Sequence, residues 1–231
     1  MLNTTERPYL RMFAALALIG LVTDQASKYI VFANVQPPDE RSMRGVVPMI
    51  PGLFNLETRY EFDVDPGDQP LSFLRTISSN RLPQVNRGAL FGIGNDGSGL
   101  NGMFLLVSCL AATFIIYWTS RPEVAQDRLL CIALGLILGG TLGNLYDRIV
   151  FGGVRDFLHW YIVYDEHVHV WPDFNIADCC LVSGAGVLLL HAYFVVEPEP
   201  DQTSKPAVAS ETGKLSEITP HSAPTEHAAQ I

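Results

Sequence analysis

Four long apolar runs dominate the pattern of hydrophobic and polar positions along the chain. They cover about residues 9–31, 102–118, 129–145 and 176–196. A helix needs about 20 residues to cross about 30 Å of hydrocarbon, and each run is close to that length. A core helix of a water-soluble protein carries a polar face, and these runs have almost none. The pattern therefore predicts an all-α membrane protein with four transmembrane helices.

Composition agrees with this prediction. Hydrophobic residues make up 48% of the chain and charged residues only 17%, against roughly 25% charged in soluble domains. No basic stripe with interleaved aromatic residues is present, so we expect no nucleic-acid partner. The four cysteines lie within or at the edge of apolar runs and lack paired spacing, so neither a disulfide framework nor a zinc site is expected.

Charge in the short segments predicts the orientation. Four spans leave both termini on one side of the membrane. Arg7 and Arg11 precede the first run, and Arg121 and Arg128 lie in or beside the short second connection. Positive charge in short loops marks the cytoplasmic side. We therefore expect cytoplasmic termini, with residues 34–101 and 147–175 on the outer side. The first run is interpreted as a retained helix, because no small-residue cleavage site closes it.

The segments outside the apolar runs differ in character. Within the outer loop 34–101, apolar and polar residues alternate weakly over residues 53–62, which predicts a strand. We therefore expect a small β-rich element that lies on the outer surface of this membrane. Residues 197–231 are rich in Pro, Glu, Ser, Thr and Ala and predict a disordered cytoplasmic tail. Residues 1–196 are then the membrane-embedded domain.

Ionisable and amide side chains gather at the predicted outer ends of the helices. Such groups are costly near a membrane and are usually functional. In the predicted topology they all meet at one membrane surface. They are Asp24, Lys28, Asn144, Asp147, Arg148, Asp156, Asn175 and Asp178.

Two of these carboxylates suit peptide hydrolysis. Two Asp side chains that share one proton supply both a general base and a general acid. Asp24 has Lys28 nearby and Asp147 has Arg148, so these two acids are more easily explained as ion pairs. Asp156 and Asp178 remain as the candidate pair. A structural alternative stays open for Asp178, since carboxylates also stabilise helix N-termini.

Five short motifs, taken in order, resemble the lipoprotein signal peptidase (signal peptidase II) family. Each alone is a weak pattern, but all five stand at the expected places relative to four spans. The resemblance covers about residues 9–196. The motifs are Asp24-Gln25-Ala26-Ser27-Lys28, Asn86-Arg87-Gly88-Ala89-Leu90-Phe91-Gly92, Gly143-Asn144-Leu145-Tyr146-Asp147-Arg148, Val154-Arg155-Asp156-Phe157 and Phe174-Asn175-Ile176-Ala177-Asp178.

The resemblance implies an aspartic endopeptidase of the bacterial cytoplasmic membrane. It implies that Asp156 and Asp178 are the catalytic dyad and that the enzyme cleaves prolipoproteins just before a cysteine carrying diacylglycerol. Its site would face the periplasm, and we expect a monomer in contact with lipids, without metal or cofactor. The resemblance assigns substrate binding to Asn86, Gly88, Asn144, Arg148 and Asn175, and a supporting role to Asp24, Lys28 and Asp147.

The chain also departs from the family. About 25 residues, 61–85, intervene before the Asn86 motif, and Leu90 stands where Ala is more usual. His159, His167 and His169 share one outer loop, which we expect to be solvated rather than metal-binding. Two other functions stay open: a proton-coupled transporter that uses the same carboxylates as relays, and a scaffold without catalytic activity.

Overall fold

The computed structural model of this chain describes residues 7–39, 42–62, 71–75, 81–88 and 98–195. The helices within these ranges are α1 (Leu10–Asn34), α2 (Ser72–Arg75), α3 (Ser98–Thr119), α4 (Pro122–Ala125), α5 (Arg128–Val150) and α6 (Ile176–Val195). The strands are β1 (Arg44–Ile50), β2 (Phe54–Phe62), β3 (Arg81–Pro83), β4 (Leu158–Tyr164) and β5 (His167–Val170). The predicted tail 197–231, the motif residues 89–92 and much of the insert lie outside the described residues.

Among the described residues, four helices are long and apolar enough to cross a membrane: α1, α3, α5 and α6. They have 25, 22, 23 and 20 residues. The four predicted runs are therefore confirmed as helices, but α1 ends three residues later than predicted and α5 five residues later. The longer α5 has a consequence for the site, because Asp147 and Arg148 lie within its last turns.

Helix α5 lies at the centre of the helical layer. It packs closely on α1 because glycines face that helix: a Cβ added at Gly139 would lie 2.9 Å from the Ala17 carbonyl oxygen. Gly140 faces α6 in the same way, because a Cβ added there would overlap the Ala177 carbonyl oxygen. Small residues at four-residue spacing allow this backbone approach. The apolar contacts between the helices include Phe13, Ala17, Ala112, Ile115, Leu134 and Leu138.

The strands form one small antiparallel sheet in the order β1-β2-β4-β5, with β3 also paired to β2. Its inner face packs on the end of α1, where Phe32 contacts Tyr60 and Leu158 belongs to the same buried cluster. Thr58 Oγ1 donates to the Val35 carbonyl oxygen at 2.5 Å, which fixes the sheet to the chain leaving α1. The predicted β-rich element is confirmed, and the strand predicted at residues 53–62 corresponds to β2. The prediction of a loop around His159 was wrong, because that segment is the hairpin β4–β5.

Candidate active site

Asp156 lies in the extended segment between α5 and β4. A backbone bridge holds this segment against residue 86: Asn86 N donates to Val154 O at 2.8 Å, and Val154 N donates to Asn86 O at 2.9 Å. The carboxylate then accepts two amide hydrogen bonds, from Asn86 Nδ2 at 3.1 Å and from Asn175 Nδ2 at 2.7 Å. Asp156 is thus partly buried and held at both oxygens.

Asp178 lies in the first turn of α6. Asn175 precedes that helix, and its Oδ1 accepts from Asp178 N at 3.1 Å while Asn175 N donates to Asp178 Oδ2, also at 3.1 Å. Such reciprocal bonding between an N-cap residue and the third helical residue satisfies two helix-terminal donors. The other Asp178 oxygen accepts from Asn144 Nδ2 at 2.8 Å, on α5.

The two carboxylates therefore share their partners. The Asn175 side chain donates to Asp156 and its backbone donates to Asp178, while Asn144 Oδ1 accepts from Asn175 Nδ2 at 3.3 Å. Burial, and then the negative charge of Asp178, raise the pKa of Asp156 to about 7, against the lowering effect of the Asn86 and Asn175 hydrogen bonds. A carboxyl group with this pKa can both donate and accept a proton near neutral pH.

The three residues that were predicted to have a supporting role form a buried network next to Asn144, which contacts Asp178. Asp24, Lys28 and Asp147 are all fully buried. Lys28 Nζ lies 2.8 Å from Asp24 Oδ2, 3.4 Å from Asp147 Oδ2 and 3.2 Å from Asn144 Oδ1. Asp24 Oδ1 accepts from Ala177 N at 2.9 Å, so the network also reaches the first turn of α6.

Arg155 is a member of this network that the sequence analysis missed. Its side chain is fully buried, and Nη2 lies 2.8 Å from Asp147 Oδ1. The guanidinium lies over the rings of Phe151 and Tyr29, at 3.9 and 4.4 Å from their centroids. Two features of the sequence could have identified Arg155: it is adjacent to Asp156, and it belongs to the same motif, after Val154. Two acids and two bases make the network formally neutral, which lowers the cost of burying it.

The prediction of an ion pair between Asp147 and Arg148 was wrong. Neighbouring residues on a helix point in different directions, so Asp147 faces inward to Lys28 and Arg155. Arg148 lies on another side of α5, where Nη1 donates to the Asn144 carbonyl oxygen at 3.3 Å and the guanidinium lies 5.3 Å from the Phe104 ring centroid. Arg148 is partly buried there.

The remaining predicted substrate-binding residues lie beside Asp156. Gly88 is buried, and its N–H donates to Asn86 Oδ1 at 3.0 Å. This bond orients the Asn86 amide so that its nitrogen points at Asp156. All three predicted asparagines, Asn86, Asn144 and Asn175, thus donate to one or the other carboxylate. Their contact with a substrate stays a prediction.

A second polar cluster lies on the outer face of the sheet. His159, expected to be solvated, is buried, and its Nδ1 lies 2.6 Å from Asp173 Oδ1 and 3.6 Å from Glu57 Oε2. His167 and His169 are exposed on β5, as expected of that segment. Sequence reasoning missed the cluster because Glu57 and Asp173 are distant from His159 along the chain.

Comparison with known proteins matches this chain to one family. The profile of the signal peptidase (SPase) II family matches residues 77–194, just over half of the chain. The lipoprotein signal peptidase of Symbiobacterium thermophilum is 32% identical over 180 residues, which are 78% of this chain and 93% of that protein. The chain belongs to the lipoprotein signal peptidase family. It is therefore an aspartic peptidase of a family that processes the signal peptides of prolipoproteins, and the transporter alternative has no support.

Other relatives agree with this family assignment. The lipoprotein signal peptidase of Polynucleobacter necessarius is 33% identical over 177 residues, covering 77% of this chain and 86% of that protein. A solved bacterial membrane enzyme superposes with a TM-score of 0.57 at 22% identity, over 84% of this chain and 94% of that one. A second such structure has a TM-score of 0.51 at 20% identity. These two likenesses concern the fold alone.

Proposed function

We propose that this signal peptidase II cleaves diacylglyceryl-modified prolipoproteins immediately before the lipidated cysteine, with Asp156 and Asp178 as its catalytic dyad. One observation carries the assignment: both carboxylates are held by a single residue, Asn175, through its side chain and its backbone. The fully buried acids near this site, Asp24 and Asp147, are already paired with cations. Among the described residues neither Asp156 nor Asp178 forms an ion pair, so the two carboxylates can share a proton, as the reaction requires.

The reaction follows from that shared proton. The ionised carboxylate removes a proton from a water molecule while the oxygen of that water attacks the scissile carbonyl carbon. The protonated carboxyl group donates a hydrogen bond to the carbonyl oxygen. The tetrahedral intermediate collapses when the C–N bond breaks and the leaving amine takes a proton from the dyad. The elevated pKa of Asp156 supports its assignment as the group that is protonated before the attack. Pre-oriented amides hold both groups while charge moves.

The substrate contacts are assigned to groups around the dyad. Asn86, Gly88, Asn144, Arg148 and Asn175 bind the extended peptide, with some of their present hydrogen bonds exchanged for bonds to its backbone. Asp24, Lys28 and Asp147 hold the outer ends of α1, α5 and α6 in place. The acyl chains of the substrate remain among lipids beside the helices.

The site is assigned to the outer, periplasmic face of the cytoplasmic membrane, with both termini in the cytoplasm. The arginines at positions 7, 11, 121 and 128 support this orientation by the distribution of positive charge. A substrate anchored by acyl chains presents its scissile bond at the membrane surface. A site at the ends of membrane helices is at the right depth for that bond.

The test is cleavage of a diacylglyceryl-modified prolipoprotein by the purified full-length protein in detergent. Wild type is compared with Asp156→Asn, Asp178→Asn and the matched control Asp165→Asn, which changes an exposed carboxylate in the β4–β5 turn. We expect loss of cleavage in the first two variants without loss of thermal stability, and full activity in the control. Normal cleavage by either dyad variant would show that the assignment of the pair is wrong.

A further inference from the structure

Three ionisable side chains, Glu57, His159 and Asp173, come together at the outer face of the sheet, and Asn55 lies beside them. Neighbouring strand residues point to opposite faces, so Leu56 and Leu158 pack toward α1 while Asn55, Glu57 and His159 face away. Asn55 and His159 are direct cross-strand partners. Asp173 joins them from the chain that leads into α6. The cluster is distinct from the candidate dyad, which lies at the helix ends.

The donor atoms in this cluster have the spacing of metal ligands. One ligand atom each from Glu57, His159 and Asp173 lie within 4.8 Å of one another. The Glu57 and His159 side chains are only 1% and 10% exposed, and that of Asp173 is 24% exposed. Bonds of about 2.0–2.2 Å place tetrahedral zinc ligands about 3.3–3.6 Å apart. The 3.6 Å between His159 Nδ1 and Glu57 Oε2 fits this spacing, and the 2.6 Å between His159 Nδ1 and Asp173 Oδ1 has to open by about 1 Å.

Asn55 provides an independent observation. The residue is only 8% exposed, and its buried side-chain oxygen has no hydrogen-bond partner among the described residues. A buried acceptor without a partner costs about 1–3 kcal/mol. Asn55 and His159 both line a groove of about 440 Å³ on this face, together with Arg44, Arg59, Tyr161 and Val168. A cation bound beside His159 would satisfy the oxygen.

We propose that Glu57, His159 and Asp173 bind a divalent metal ion of the zinc class, with the Asn55 side-chain oxygen as a further ligand. One imidazole nitrogen and several oxygens suit zinc and its neighbours in the first transition row. The ion lies off the line between His159 Nδ1 and Asp173 Oδ1 and replaces the hydrogen bond between them. The imidazole binds the ion in its neutral form, with its one proton on Nε2.

Two arginines balance the cluster in the absence of metal. Arg44 pairs with Glu57, and Arg59 Nη2 lies 3.0 Å from Glu57 Oε1 and 3.4 Å from Asp173 Oδ2. Their side chains are 52% and 51% exposed, so both can turn into water when a metal ion replaces their charge. The arginines therefore compete with the metal, and removal of one should strengthen metal binding.

The site would join two segments that carry the candidate dyad and its partner. His159 stands three residues after Asp156, and Asp173 stands two residues before Asn175. Backbone hydrogen bonds between Leu158 and Phe174 already connect these segments, at 2.9 and 3.2 Å. A metal bound by His159 and Asp173 would reinforce that connection on the face away from the substrate. We expect it to stabilise the fold without taking part in hydrolysis.

The test is calorimetric titration of the full-length, detergent-solubilised protein with zinc chloride. Because His167 and His169 are exposed on one strand face, the background variant is His167→Ala/His169→Ala. We expect one zinc ion to bind in this background and to raise the temperature of unfolding. Adding His159→Ala should abolish both effects, and Arg59→Gln in the same background should tighten binding.

Asp173→Asn provides a second variant at a less buried ligand, in case the loss of His159 disturbs the fold. It should weaken zinc binding while the metal-free protein keeps its unfolding temperature. Zinc binding that is lost in the background variant itself, or that survives His159→Ala, would overturn the proposal. Because the readout is binding and not cleavage, failure here leaves the proposed dyad unaffected.

Discussion

Asn175 and Asp178 hydrogen-bond each other twice, once from each backbone nitrogen to the other side chain, both at 3.1 Å. The same Asn175 side chain donates to Asp156 at 2.7 Å. One residue therefore begins α6 and sets the geometry between the two candidate catalytic groups. Helix capping and positioning of the dyad should be separable, because they use different atoms of Asn175.

Asn175→Ser should separate the two roles. Serine caps helices about as well as asparagine, so Asn175→Ser should keep the contribution of the cap to stability and lose only that of the side-chain amide. It lacks the amide that donates to Asp156, and a hydrogen bond to a charged group contributes about 1.5–3 kcal/mol, so kcat/KM should fall about 10- to 100-fold. Prolipoprotein cleavage and thermal unfolding of the same preparations measure the two effects.

The comparison variant is Asn175→Ala, which removes the cap as well. It should lose activity to a similar degree and also about 1 kcal/mol of stability. Full activity of Asn175→Ser would contradict the positioning role. The removed hydrogen bond also lowers the pKa of Asp156, so the pH profile of Asn175→Ser should move to higher pH.

The pKa of Asp156 predicts a pH-dependent stability. Burial and the Asp178 charge raise it from its ordinary 3.8 to about 7. A folded pKa above the unfolded value gives stability that is present below about pH 4 and lost as the pH rises through 7. Between pH 5 and pH 8 the free energy of unfolding of the wild type should fall by about 2 kcal/mol relative to that of Asp156→Asn. This is less than the full pKa shift implies, because the carboxyl group is partly exposed.

Unfolding temperatures of both proteins at pH 5 and pH 8 measure this difference. Asp156→Asn should be inactive yet gain stability relative to wild type at the higher pH. The matched control is Asp165→Asn, which replaces an exposed carboxylate. Its unfolding temperatures at pH 5 and pH 8 should equal those of the wild type. Parallel curves for wild type and Asp156→Asn would show that Asp156 titrates normally.

The helices and the dyad candidates could be predicted from the sequence because their signals are local. Runs of apolar residues define the spans, and a motif such as Asn175-Ile176-Ala177-Asp178 contains both partners of its hydrogen bonds. The elimination of Asp24 depended on Lys28, one helical turn away, and the structure has that ion pair at 2.8 Å.

Two of the errors concern contacts that adjacent residues in the sequence do not indicate. Arg155 looked like a loop residue, yet it is fully buried because Asp147, eight residues earlier, turns inward with it. His159 looked solvated because its partners Glu57 and Asp173 belong to other elements. Only strand pairing brings these residues together, and the outer loop lacked a strong periodic pattern that would predict the register.

The close contact of α1 with α5 makes a prediction about Gly139. An alanine Cβ there would lie 2.9 Å from the Ala17 carbonyl oxygen, in backbone that cannot move aside cheaply. Gly139→Ala should therefore lower stability by about 1–3 kcal/mol. Gly186→Ala on α6 is the control, since a Cβ there meets nothing within 4 Å, and it should be neutral or stabilising by up to about 1 kcal/mol.

Thermal unfolding in one detergent compares the two glycine variants. If Gly139→Ala matched Gly186→Ala, the helices would have room to separate and the close approach would not contribute to stability. Because Gly143 contacts Asp24 in the same interface, a destabilised Gly139→Ala should also lose activity as α1 moves.

The buried pair of Arg155 and Asp147 predicts strong coupling. Arg155→Met keeps most of the side-chain volume but leaves Asp147 with Lys28 as its remaining cation within 4.0 Å among the described residues. Removal of one partner of a buried ion pair costs about 3–5 kcal/mol. Arg128→Met, at an exposed position at the start of α5, is the control and should change stability by less than about 0.5 kcal/mol.

A double-mutant cycle distinguishes the pair from the volume that Arg155 fills. In Asp147→Asn/Arg155→Met no uncompensated charge remains at the pair, so the double variant should be more stable than the sum of the single effects predicts. Strictly additive losses would mean that Arg155 acts by packing against Phe151 and Tyr29 and that its charge is not needed. Activity should follow stability in the cycle, because the network holds α5 and α6 together beneath the dyad.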